Sequence, residues 1–137
     1  GKYEYTKLIK KMKTIITTDN APQPIGPYSQ AVLVGNTLYT SGQIALHPET
    51  GELVMDSIEV ETTQVMKNLK AVLEAANMTF ENVIKASIFI SDMNSFGAIN
   101  AVYAQYFDEA TAPARETVEV ANLPKFVNVE ISVIAIK

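Results

Sequence analysis

The last ten residues before Lys137 alternate strictly. Val127, Val129, Ile131, Val133 and Ala135 occupy one set of positions, and Asn128, Glu130, Ser132, Ile134 and Ile136 the other. Alternation with period two puts the first set on one face of a β-strand and the second on the opposite face. The chain must therefore build a sheet with one dry face. The second set mixes polar and apolar residues, so the opposite face is neither purely wet nor purely dry.

A different period governs the middle of the chain. From Asp56, the residues Thr62, Val65, Met66, Leu69, Val72, Leu73 and Ala76 recur at steps of three and four, with Glu61, Lys67, Lys70 and Glu74 off that stripe. This spacing predicts a long helix with one buried face. Asp56 followed by Glu59 resembles a capping box, and Asn77 suits a left-handed terminator. "VIKASIFIS" (83 to 91) is expected to form a strand with Ile84, Ala86, Ile88 and Ile90 on one side. Asn94 then caps a second helix, "SFGAINAVYAQYF", that packs through Phe96, Ile99, Val102, Tyr103 and Tyr106. Before the long helix, "TIITT" (14 to 18) reads as a strand, and "AVLVGNTLYTSGQ" as two strands joined by the tight turn Gly35-Asn36. Another turn falls at Thr50-Gly51. After the second helix come strands at 115 to 120 and 126 to 136.

Strands, helix, strand, helix and strands in that order predict an α+β sandwich in which two helices cover one face of a largely antiparallel sheet. No helix remains for the half-apolar second face, which is best explained by a partner subunit. At 137 residues with 47% hydrophobic content the chain suits one domain, residues 12 to 137. Residues 1 to 11 hold Lys2, Lys7, Lys10 and Lys11 against Glu4 and are read as an extension preceding a natural start at Met12.

Several function classes lose support. The net charge is −4 overall, and beyond residue 11 it is −7, from 7 basic and 14 acidic residues. An acidic body repels phosphate backbones, which disfavours nucleic-acid partners. No apolar run is long enough for a membrane span. The absence of cysteine removes thiolate nucleophiles and zinc–sulfur sites and fits a cytoplasmic setting. His47 is the only histidine and lies in the turn-like "LHPETGE" as a solvated loop residue, so neither a metal site nor a Ser-His-Asp triad is expected.

Two residues carry candidate chemistry. Arg115, in "TAPARETVEV", is the only arginine among eleven basic residues. Its planar fork can hold a carboxylate bidentately, although an ion pair with Glu116 or Glu119 would be the plainer use. Glu130 sits mid-strand between Val129 and Ile131. Buried, its pKa would rise toward a range useful for proton transfer; on a solvent face it would be ordinary. Tyr28 is presented by the stiff loop "DNAPQPIGPYSQ", and Ser41 precedes Gly42 at a strand end.

Together, "IGPYSQAV" (25 to 32), "TSGQI" (40 to 44) and "APAR…LPK…VEI" (112 to 131) closely resemble the motifs of the Rid family, the YjgF-like reactive-intermediate deaminases, in the family's order from about Met12 to Lys137. The resemblance implies a chorismate-mutase-like homotrimer with sites in the clefts between subunits. It implies hydrolysis of enamines and imines such as 2-aminoacrylate to 2-keto acids and ammonia, with no cofactor or metal. Carried over by position, Arg115 binds the substrate carboxylate, Glu130 positions or activates water, and Tyr28 and Ser41 are further site groups. Phe96 and Asn100 line the pocket, and backbone amides near Gly42 and Thr117 add donors. Thr117 stands where the family often has cysteine, which disfavours any thiol mechanism. A non-catalytic binder of small carboxylates, acting as a regulator or chaperone-like trimer, is the alternative; RNA cleavage, attached to some relatives, finds no support in the acidic body.

Overall fold

The computed structural model describes the backbone of residues 1 to 137 and all side chains except those of residues 9 to 11. Three α-helices and six strands follow in the order α1 (Lys2–Met12), β1 (Lys13–Ile16), β2 (Ala31–Val34), β3 (Thr37–Thr40), α2 (Ile58–Ala75), β4 (Val83–Ile90), α3 (Phe96–Tyr103), β5 (Ala114–Glu119) and β6 (Val129–Ile136). The strands form one sheet in the order β1-β2-β3-β6-β4-β5. Every pairing is antiparallel except β4 with β5, which is parallel. The expected α+β class and mostly antiparallel sheet are therefore observed.

The β2–β3 hairpin turns on Gly35 and Asn36, and Gly35 adopts φ 61°, which a side chain would resist. Helix α2 packs on β6 and α3. Its stripe of Val65, Met66, Leu69, Val72 and Leu73 is fully buried, each apolar side chain contributing roughly 1.5–3 kcal/mol. Asn77, at φ 59°, ends this helix as expected. On β6 the residues Val129, Ile131, Val133 and Ala135 are buried, while Glu130, Ser132 and Ile134 of the other face are half-buried.

Four local expectations are corrected. Ser57, not Asp56 with Glu59, caps α2: its hydroxyl accepts from the Val60 N–H at 3.1 Å. Asn94 caps nothing; Asp92 caps the 3₁₀ turn Met93–Ser95, and α3 begins at Phe96 with no side-chain cap. Ile84 is exposed because a register shift between Val83 and Lys85 leaves it unpaired, and Val83 is buried instead. The final strand begins at Val129, since Pro124–Phe126 form a 3₁₀ turn in which Lys125 and Phe126 both have φ 55°.

The first residues hold an element that periodicity did not reveal. Lys2–Met12 is a helix free of glycine and proline, with Tyr3, Tyr5 and Leu8 exposed. Among the described residues, no helix is long and apolar enough to cross a membrane.

Candidate functional site

The predicted site residues fall into two groups on opposite faces of the sheet. Parallel pairing aligns Arg115 with the buried Ala86, and Ala86 with Val133, so Arg115 leaves the sheet on its helix-covered face. Glu130 pairs with Phe89 on the other face. The two residues line separate pockets of one chain.

Arg115 is held by α3. Its Nη1 donates to Asn100 Oδ1 at 2.6 Å, and its guanidinium carbon lies 5.0 Å from the Tyr103 ring centroid and 5.7 Å from that of Phe96. Stacking and one hydrogen bond fix the fork's plane while leaving most of its five donors unused. Neither acid suggested as an ion-pair partner takes them. Glu116 lies on the opposite face, where Lys85 Nζ approaches it to 2.6 Å and Ser87 Oγ donates to it. Glu119 accepts from the Met93 N–H. The guanidinium is exposed beside a cavity of about 800 Å³ that Asn100, Tyr103, Phe107 and Pro113 also line. Thr117 Oγ1 and the Tyr103 hydroxyl are buried without hydrogen-bond partners among the described residues. Burial raises the Tyr103 pKa against the opposing pull of Arg115.

Glu130, Tyr28, Ser41 and Gly42 line the second pocket, of about 410 Å³. Its walls are set by the proline-rich segment before β2. There Gln30, fully buried, accepts from the Thr18 N–H at 2.7 Å and donates to the carbonyls of Thr18, Ala21 and Pro22. One carboxamide thereby replaces the hydrogen bonds that this irregular backbone cannot make to itself. The Tyr28 hydroxyl accepts from the Ile25 N–H at 3.4 Å, and Ser41 Oγ donates to the Ser29 carbonyl at 2.5 Å. Paired hydrogen bonds between Gln43 and Ile131 draw Gly42 over Glu130.

Among the described residues, Glu130 makes no hydrogen bond through its carboxylate, and burial raises its pKa. Arg115, Asn100, Phe96 and Thr117 thus make up one half of the candidate site, and Glu130, Tyr28, Ser41 and Gly42 the other.

Four contributors escaped sequence reasoning. Gln30 and Glu61 are polar side chains buried in the chain; Glu61, expected off the α2 stripe, accepts from the Asn128 N–H and Nδ2, both at 2.8 Å. In the sequence, Tyr103 stands out only as a packing residue and Lys125 only as part of a motif. His47 is a turn residue whose Nδ1 accepts from the backbone of Glu49 and Thr50. Among the described residues no cluster of potential metal ligands occurs.

The family model described as Endoribonuclease L-PSP matches residues 18 to 137. The chain is 45% identical over 128 residues to a 2-iminobutanoate/2-iminopropanoate deaminase of Escherichia coli, covering 92% of this chain and 99% of that protein. A solved structure of a Rid-family protein from Yersinia pestis superposes with TM-score 0.88 at 50% identity, covering 91% of this chain and 99% of that one. Escherichia coli TdcF with bound serine superposes with TM-score 0.85 at 44% identity, covering 90% and 98%.

Proposed function

Since the chain belongs to the Endoribonuclease L-PSP family, the YjgF-like group that includes the Rid proteins, we propose that it is an enamine and imine deaminase whose sites form between copies of itself. The observation that carries this reading is the division of the site. An oriented arginine with unused donors and a glutamate with a raised pKa stand on opposite faces of one sheet. In a closed ring of copies, here a homotrimer, the arginine face of one subunit meets the glutamate face of the next. Ile25, Tyr28 and Phe126 are exposed apolar residues beside the Glu130 half, and such a rim is suited to burial against a neighbour.

In the joined site Arg115 holds the carboxylate of a 2-imino acid bidentately, turning the imine carbon toward Glu130 of the adjoining copy. An enamine substrate first takes a proton from solvent at its β-carbon to become the protonated imine. Water then attacks the imine carbon while Glu130 removes its proton, giving a carbinolamine. The protonated Glu130 returns that proton to nitrogen, the C–N bond breaks and ammonia leaves, and the carbinol hydroxyl passes its proton to the freed Glu130 carboxylate as the carbonyl of the 2-keto acid forms. A raised carboxyl pKa suits a group that must both take and give a proton near neutrality. The imine carbon is already electrophilic, so this route calls on no cofactor. A site serving only as a carboxylate receptor would gain nothing from an acid beside its anionic ligand.

Mixing two inactive variants tests the shared site. Arg115→Ala and Glu130→Gln chains, each inactive alone, are unfolded and refolded together. Random mixing leaves about a quarter of the sites with both groups intact, so 2-keto acid formation from an imine generated in situ should return to about that share of the native rate. No recovery in mixed oligomers would remove the proposal.

A further inference from the structure

The acid–base pocket holds a second charged group that the mechanism leaves unused. Among the described residues, Lys125 and Glu130 are the only charged ones that line it; the rest of its wall is apolar or neutral, including Ile25, Leu46 and Pro124. Among the described residues, Lys125 forms no ion pair.

The backbone carries it there at a cost. Lys125 and Phe126 are consecutive residues at φ 55°, a left-handed conformation that non-glycine residues avoid. Backbone hydrogen bonds from Phe126 N to Leu123 O at 2.9 Å and from Val127 N to Pro124 O at 3.3 Å close the turn. Strain maintained beside a functional pocket is the kind of outlier from which a role is inferred. The volume points the same way. A pocket of about 410 Å³ has room for on the order of a dozen waters at ~30 Å³ each, more than the few heavy atoms of a three-carbon imino acid displace.

Resting on the deaminase reading, we propose that Lys125 recognises a second anionic group at the far end of the substrate side chain, so that the site takes 2-imino dicarboxylates as well as monocarboxylates. Arg115 holds the carboxylate next to the imine, Glu130 serves the imine carbon, and the Lys125 ammonium meets the distal carboxylate across an apolar wall. A charge-assisted hydrogen bond against a wall of low polarity contributes more than the same contact in open water.

The test removes the charge while respecting the turn. Asparagine tolerates left-handed backbone, so Lys125→Asn keeps the loop's conformation, and Lys125→Arg keeps the charge. Binding of 2-oxoglutarate and of 2-oxobutanoate, product-like acids with and without a distal carboxylate, is measured by calorimetry on the native protein and both variants. Lys125→Asn should weaken 2-oxoglutarate about tenfold or more and 2-oxobutanoate less than about twofold, with Lys125→Arg restoring the difference. Equal weakening of both acids, or of neither, overturns the proposal. Turnover of imines made in situ from aspartate and alanine is followed in parallel. If the acids bind with the expected selectivity but no imine is turned over faster than in buffer, the deaminase reading fails and the recognition by Lys125 stands.

Discussion

A methyl group added at Gly42 would fall 2.7 Å from the Glu130 side-chain carboxyl carbon and 2.8 Å from its Oε1. The atoms it meets are the far end of a flexible side chain, so Gly42→Ala displaces the carboxylate rather than the fold. Stability should change by less than about 1 kcal/mol, while, on the proposed role of Glu130 as general base, kcat for imine hydrolysis should fall by about 10²-fold. Thermal melts and steady-state rates on one preparation separate the two effects. A fully active Gly42→Ala protein would show that the position of Glu130 does not govern the rate.

The raised pKa of Glu130 also has a signature in stability. Burial favours its neutral form in the folded chain, so its contribution is fully present below the unfolded value of about 4.3 and is lost as the pH rises through the higher folded value. Glutamine stays neutral throughout. Glu130→Gln should therefore gain stability relative to the native protein as the pH is raised from 4 to 8, read as a growing difference in melting temperature. A difference that stays constant across this range would mean that Glu130 titrates alike in the folded and unfolded chains.

How much of this was legible depended on whether the signal was local. Gly35-Asn36 fixed the β2–β3 hairpin, and the alternation from Val127 to Ile136 fixed which side of β6 faces the core, because both are properties of adjacent residues. The face of Arg115 depends on pairing instead. Parallel alignment with Ala86 sends Arg115 to the helix-covered side, and nothing in "APARETVEV" encodes that partner. Ile84 failed for a related reason: one unpaired residue before Lys85 reverses the alternation, and a period-two reading cannot see an insertion. Glu61 looked like a solvent residue because its partner, Asn128, is 67 positions away.

Arg115 should tolerate replacement structurally but not functionally. It is exposed, and its contacts are one hydrogen bond to Asn100 and stacking on Phe96 and Tyr103. Arg115→Ala is expected to unfold within about 0.5 kcal/mol of the native protein yet lose the acceleration entirely. Arg115→Lys keeps the charge without the fork and should also lose about 10²-fold in kcat/KM, since a point charge fixes neither carboxylate oxygen in plane. Asn100→Ala frees the guanidinium without removing it, so its loss should be the smaller. Near-native kcat/KM in Arg115→Lys would show that charge alone suffices.

Glu61 ties helix α2 to the strand that carries the acid. Its fully buried carboxylate accepts from both the backbone N–H and the side-chain amide of Asn128, whose own Oδ1 accepts from Ser91 Oγ at 3.1 Å. Alanine at position 61 leaves two donors of Asn128 without their acceptor in a region closed to water, costing roughly 1–3 kcal/mol for each group left unsatisfied. The clamp lies two residues before Glu130 and two after Phe126, so loosening it frees both the start of β6 and the turn holding Lys125. Glu61→Ala should lower the urea midpoint at an unchanged slope, and faster amide exchange should appear at Asn128 and its neighbours. An unaltered midpoint would show that Asn128 finds other acceptors and that the buried acid does not hold the strand in place.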